Sequence, residues 1–167
     1  MIFLTIGTHE PFDRLVEAVD AWRARRTRPV EVYGQITSRA GYKPTSFAWT
    51  DSLGPADYRA KCQEADLIVS HAGMGSIITA LTFGKPILIL PRRGHLNETR
   101  NDHQYATAAR FKGRAGIRVA MDETELPAVL ERMLENAGGA SGDGEGLGPY
   151  ADSGLLAAVK ALIQDGV

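Results

Sequence analysis

Residues 70–104 read SHAGMGSIITALTFGKPILILPRRGHLNETRNDHQ, and this stretch decides the fold. An apolar strand runs into a glycine-rich turn. A helix follows, then a second apolar strand, then a polar loop that opens another helix. The polar residues gather where strands end and helices begin, the edge at which ligands bind in an open α/β sheet. Backbone N–H groups of a glycine turn, joined to a helix N-terminus, favour an anionic and above all a phosphate-bearing ligand. The stretch therefore predicts binding of a nucleotide-like molecule.

Outward from it, strand and helix signals alternate. Residues 2–6 form a short apolar run ended by Gly7. Phe12, Leu15, Val16, Val19 and Trp22 recur at helical spacing, which predicts a helix over 11–25 with Pro11 in its first turn. Strands are predicted at 30–33, closed by Gly34, and at 46–49, 67–70, 87–90 and 116–120. Helices are predicted at 57–64, 75–83, 102–111 and from a cap at Asp122 or Thr124 to about residue 136, with Gly84 and Pro86 stopping the second of these. Repeated strand–helix–strand units imply a Rossmann-like, doubly wound parallel α/β sheet. The all-apolar strands LIVS and ILIL suit a sheet covered on both faces. The domain is expected to span 1–136. A Gly-rich flexible linker is expected at 137–150, and residues 151–167 are expected to hold a terminal helix with Leu155, Leu156, Val159 and Leu162 on one face.

Composition narrows the function classes. The chain has 167 residues, 44% of them hydrophobic and 23% charged, as expected of one soluble domain. A net charge of -1 gives no bulk attraction to nucleic acid, although Arg92, Arg93, His95 and Arg100 could form a local basic patch. The single Cys62 excludes an internal disulfide and reads as a buried structural thiol. The N-terminus enters an apolar strand with no charged leader, and no apolar run approaches the roughly 20 residues of a membrane span. A cytoplasmic protein is expected, with any membrane association coming through a surface or a partner.

The candidate chemistry sits at the strand ends. Gly73 and Gly75 flank Met74 after a strand, but Ile78 breaks the dinucleotide fingerprint GxGxxG, and GxxxxGK[ST] does not occur. NAD binding and ATP hydrolysis are thereby disfavoured. His71 stands directly before these glycines, beside the ligand or bonded to a nearby carbonyl. Asp102 reads either as a helix cap or as a site residue, while His103 and Gln104 carry donors and acceptors of the kind that grip sugar hydroxyls. Gly7, Thr8 and His9 form the first strand-to-helix turn, which can face the same crevice. His71, His95 and His103 could converge, but no paired Cys, HExxH or DxD motif accompanies them, so neither a metal nor a separate cofactor is expected.

At these residues the chain resembles the C-terminal, donor-binding domain of family-28 GT-B glycosyltransferases. The likeness rests on Gly7-Thr8, HAGMGSIITAL at 71–81, GKP at 84–86, PRR at 91–93 and NDHQ at 101–104, and covers roughly residues 1–135. It is strongest to the stand-alone bacterial subunits of capsule and exopolysaccharide assembly; the group also includes the catalytic subunit of the dolichol-linked GlcNAc transferase. The resemblance implies that His71, Ala72, Gly73, Met74, Gly75 and Ser76 line the UDP diphosphate and ribose, faced by Gly7 and Thr8. It puts Asp102, His103 and Gln104 near the donor sugar, and Arg92 and Arg93 by the diphosphate or the acceptor side. Many relatives carry a Glu on the helix after the glycine turn; the matching Thr79 offers a ribose only a neutral hydroxyl.

Complete enzymes of this type have two such domains. The resemblance therefore implies a donor-binding subunit that takes a UDP-sugar and works with a membrane-anchored acceptor-binding subunit on a lipid-linked sugar acceptor. Such a subunit would lie at the inner membrane through its partner, with a homodimer open to the isolated chain. The implied reaction is inverting hexosyl transfer without a bound metal, with the base either in this chain, where His9 is the candidate, or in the partner. Two other readings stay open, a non-catalytic accessory subunit and a sugar-nucleotide epimerase-like domain.

Overall fold

The computed structural model describes residues 1–138. The rest of the Gly-rich linker and the terminal helix expected at 151–167 lie outside the described residues. Among the described residues six strands, β1 (Ile2–Thr5), β2 (Val32–Gln35), β3 (Ala48–Thr50), β4 (Leu67–His71), β5 (Ile87–Leu90) and β6 (Ile117–Val119), form one parallel sheet in the order β3-β2-β1-β4-β5-β6. Five α-helices accompany them there: α1 (Asp13–Arg25), α2 (Pro55–Glu64), α3 (Met74–Thr82), α4 (His103–Phe111) and α5 (Leu126–Gly138).

Successive strand side chains point to opposite faces, so the apolar runs serve two cores at once. Ile2, Leu4, Val69, Leu88 and Leu90 pack under α1 and α5 with Leu15, Val19, Trp22 and Leu130. Phe3, Ile68, Ile87 and Ile89 face α2, α3 and α4 with Cys62, Ile77, Ala108 and Phe111. Cys62 is buried, and burial pushes its thiol pKa up, which keeps it an inert core thiol.

Several boundaries differ from expectation. Gly34 does not close β2 but sits inside it, because a Cβ there would come within 3.0 Å of the Phe47 ring. The strand therefore runs two residues further and delivers Gln35 to its end. Pro11 precedes the Phe12 cap of α1 instead of lying within the first turn. The β2–β3 crossover carries no helix. Its loop is held by buried Asp20, which accepts hydrogen bonds from Tyr42 (2.6 Å), the Thr45 and Ser46 amides and the Ser46 hydroxyl (2.6 Å).

Strand order reverses between β1 and β4. Chain leaving β1 turns towards α1 on one face, and chain leaving β4 turns towards α3 on the other. The two loops part at the C-terminal edge and leave a crevice between them.

Candidate functional site

That crevice is a cleft of about 570 Å³, lined by Gly7, Thr8, His9 and Glu10 from the β1–α1 loop, Gln35 from β2, Leu53, Pro55 and Tyr58 around α2, His71, Gly75, Ser76 and Thr79 from β4 and α3, and Arg92, Glu98, Thr99 and Gln104 from the β5–α4 side. A larger groove of about 770 Å³ lies between the C-terminal end of α1 and the length of α5, lined by Trp22, Arg25, Arg26 and Glu131 among others, and shares no lining residue with the cleft.

His71 lines the cleft between the Gly7 and Gly73 turns. Gly7 takes a φ of +85°, and a Cβ on it would lie 3.2 Å from the imidazole; a Cβ on Gly73 would lie 2.3 Å from Nε2. Glycine is thus required on both sides for the ring to fit between the two loops. Burial, reinforced by the charge of Arg92, lowers the His71 pKa to about 4, against a weaker pull upward from the Thr5 carbonyl. The ring is neutral at pH 7.

Gly73 is the N-cap of α3, and no acidic residue occupies the first turn of that helix. The Met74, Gly75 and Ser76 amides, at the first turn, have no intrahelical acceptor, and the positive end of the helix dipole is not neutralised locally. Gly75 is exposed, and a Cβ added to it would meet nothing within 4 Å. Thr79 donates its hydroxyl proton to the Gly75 carbonyl at 2.8 Å, leaving its oxygen as an acceptor towards the cleft.

Arg92 is 4% exposed, and its guanidinium donates to four backbone carbonyls: Ile6 (2.8 Å), Glu10 (2.7 Å), Pro11 (2.5 Å) and Glu98 (3.2 Å). It also stacks on Phe12 at 4.6 Å. Burial lowers its pKa to about 10, and its four carbonyl partners keep it where it is. Arg92, expected by the diphosphate or the acceptor side, lines the cleft and also fastens the β1–α1 loop to the β5–α4 loop. Arg93 donates to the Met121 carbonyl at 2.6 Å and stacks on Tyr105, outside the cleft lining.

Glu98 faces the cleft with its carboxylate already engaged by Arg14 (2.8 and 2.7 Å) and by the Arg93 amide (2.8 Å). Gln104 accepts from the Arg92 amide through Oε1 at 3.3 Å, so its NH₂ group is the free donor. Asp102 occupies the N-cap position of α4 but does not cap it; its carboxylate accepts from the Gly94 amide at 2.8 Å. His103 is exposed, and like Ala72, Gly73, Met74 and Asp102 it lies outside the cleft lining. The Thr8 hydroxyl holds His9 Nδ1 at 2.8 Å, and Arg39 contacts the His9 carbonyl.

The sequence did not mark Gln35 or Tyr58, whereas Glu98 belongs to the polar loop over a strand end that already reads as a binding loop. Gln35 was hidden by the glycine before it, and Tyr58 by lying on a helix with almost no amphipathic signal. Among the described residues no cluster of three or more His, Cys, Asp or Glu side chains could hold a metal ion.

A crevice at the switch point of a doubly wound sheet, with an acid-free helix start beside it, defines a Rossmann-like α/β domain with an open cleft at the edge where such sheets take their ligands. Residues 1–139 match the family model of the Glycosyltransferase family 28 C-terminal domain, and the chain belongs to that family. It is similar to the human UDP-N-acetylglucosamine transferase subunit ALG13, 32% identical over 117 residues, which is 64% of this chain and 10% of that protein. It is also similar to the UDP-N-acetylglucosamine--N-acetylmuramyl-(pentapeptide) pyrophosphoryl-undecaprenol N-acetylglucosamine transferase of Deinococcus radiodurans, 29% identical over 92 residues, covering 55% of this chain and 22% of that protein. The alignments thus take in only a small part of either relative's length. Among solved structures, the glycosyltransferase of kitacinnamycin shares the fold with a TM-score of 0.62 and 22% identity, over 96% of this chain and 39% of that one. The spinosyn forosaminyltransferase SpnP does so with a TM-score of 0.59 and 15% identity, over 99% of this chain and 39% of that one.

Proposed function

We propose that this chain is the donor-binding, catalytic half of a UDP-sugar-dependent glycosyltransferase that works with a membrane-anchored acceptor-binding subunit on a lipid-linked acceptor in bacterial polysaccharide synthesis. The observation that carries the reading is the acid-free start of α3, opening beside His71 and Gly7 at the switch point. Membership of family 28 supports it, as do the two relatives named as N-acetylglucosamine transferases. No helix among the described residues is long and apolar enough to cross a membrane.

In this reading the donor diphosphate lies on the Met74, Gly75 and Ser76 amides, with the Gln104 amide towards the sugar and the Thr79 oxygen towards the ribose. The acceptor oxygen bonds to the anomeric carbon as the bond from that carbon to the diphosphate breaks, with inversion. Backbone donors and the helix dipole stabilise the departing charge without having to reorganise. The acceptor proton passes to His9 Nε2, whose other ring nitrogen is held by Thr8. Calorimetric titration with UDP, and a sugar-transfer assay with and without the partner subunit, test the proposal. UDP binding by this chain and transfer by the pair are expected; absence of UDP binding in either state refutes it. Epimerised UDP-sugar formed without acceptor would instead support the epimerase-like reading.

A further inference from the structure

Ser70 is fully buried, one residue before the end of β4, and its hydroxyl has two polar neighbours. The Thr5 carbonyl is at 2.7 Å and His71 Nδ1 at 3.1 Å. A carbonyl only accepts, so the single Ser70 proton goes to Thr5, and Ser70 Oγ can only accept from the ring. The free chain therefore holds His71 as the Nδ1–H tautomer, with a bare lone pair on Nε2. Nε2 is the ring atom nearest the space a Cβ on Gly73, at the start of α3, would fill.

A lone pair there has the wrong polarity for a phosphate oxygen. Two routes would turn Nε2 into a donor. In the first the ring takes up a proton and becomes imidazolium. Burial and Arg92 hold the imidazole pKa near 4, so at pH 7 this route would weaken binding about a thousandfold. The surrounding groups offer little relief. The first turn of α3 has no acid, Glu98 is engaged by Arg14, Glu10 points out towards Arg39, Tyr58 on α2 has its pKa raised by burial, and His9 is on Thr8. In the second route the Ser70 hydroxyl turns from Thr5 to His71 Nδ1. The Nδ1 proton leaves to water and another arrives on Nε2, with no net uptake. This route gives up one hydrogen bond, a cost of about five- to tenfold in affinity.

We infer that Ser70 is a tautomer switch, holding His71 as an acceptor in the free chain and turning it into an Nε2–H donor when a nucleotide diphosphate binds. The inference rests on the proposed UDP-sugar reading for the bound state, while the free-state tautomer stands apart from it. Ser70 is a positioning residue that acts on the ligand only through His71.

Long-range ¹H–¹⁵N correlation spectra of histidine-labelled protein at pH 7.5, with His71 signals assigned by their loss in His71→Gln, test it directly. Without ligand, Nδ1 is expected to be protonated and Nε2 bare; saturating UDP reverses the pattern. Ser70→Ala removes both the hold on Nδ1–H and the Thr5 bond given up on binding, so UDP binding is expected to tighten about five- to tenfold, and weaker binding overturns the inference. A free-state Nε2–H tautomer, a ring that keeps its tautomer while UDP is bound, or a bound ring protonated on both nitrogens overturns the inference. Spectral perturbation by UDP elsewhere in the protein shows binding independently, so a failed switch is distinguished from a failed UDP-binding reading. If UDP perturbs nothing, both are overturned.

Discussion

Replacing Arg92 separates a phosphate ligand from a structural clamp. Its guanidinium spans four carbonyls on two loops, at Ile6, Glu10 and Pro11 on one side and Glu98 on the other. Lys carries the same charge, but its three donors radiate from one atom and cannot reach that spread. Leaving one or two buried carbonyls unsatisfied costs about 1–3 kcal/mol each, so Arg92→Lys is expected to lose about 2–3 kcal/mol. Arg92→Met keeps the stem over Phe12 but loses every bond, and about 4 kcal/mol is expected, within the range for breaking a buried charged network. For a domain of this size that corresponds to a fall in Tm of about 10 °C. Urea unfolding followed by circular dichroism gives the midpoint and slope, and a UDP titration on the same samples gives affinity. A Lys variant within about 0.5 kcal/mol of wild type, with UDP affinity sharply reduced, would refute the clamp and return Arg92 to the ligand. Arg92→Met should also raise the His71 pKa, since the neighbouring charge is removed.

The remaining predictions concern the other parts of the site and its support. His71 is held below its ordinary value, so the unfolded chain binds more protons between about pH 6.5 and 4; this contribution is complete above pH 6.5 and is lost as pH falls to about 4, by at most about 3 kcal/mol. Stability measured across that window in wild type and His71→Gln should show a shallower slope in the variant, and identical slopes would count against it. Gly73→Ala forces a methyl to within 2.3 Å of His71 Nε2, so UDP affinity should fall at least tenfold by calorimetry. Gly75→Ala meets nothing within 4 Å and should raise the thermal midpoint, by the few tenths of a kcal/mol to about 1 that Ala gains over Gly in a helix. Asp20→Asn puts an NH₂ group against donors from Tyr42, Thr45 and Ser46; about 2–3 kcal/mol should be lost in urea unfolding, with no such loss if the β2–β3 loop does not depend on this anchor.

The sheet was legible in the sequence because burial on both faces leaves its mark residue by residue. Ile87 and Ile89 serve one core while Leu88 and Leu90 serve the other, so all four positions must be apolar. The glycine turn was legible too, since Gly7 and Gly73 are dictated by backbone conformation and close approach, which local sequence expresses. What stayed hidden was set by partners far along the chain. Gly34 reads as a stop until Phe47 is known to lie against it. Asp102 reads as a cap until Gly94 is seen to claim its carboxylate. Arg92 is the sharpest case, because an arginine in a polar loop above a phosphate-type turn has the same local signature whether it faces ligand or carbonyls. The decision is made by the acceptors. Here the β1–α1 loop turns its Ile6, Glu10 and Pro11 carbonyls inward, with Phe12 packed over the guanidinium that binds them, so the position of the charge is fixed by acceptors remote in sequence. In the proposed donor complex the neutral donors beside that fixed charge are the α3 amides and a histidine whose proton another side chain controls.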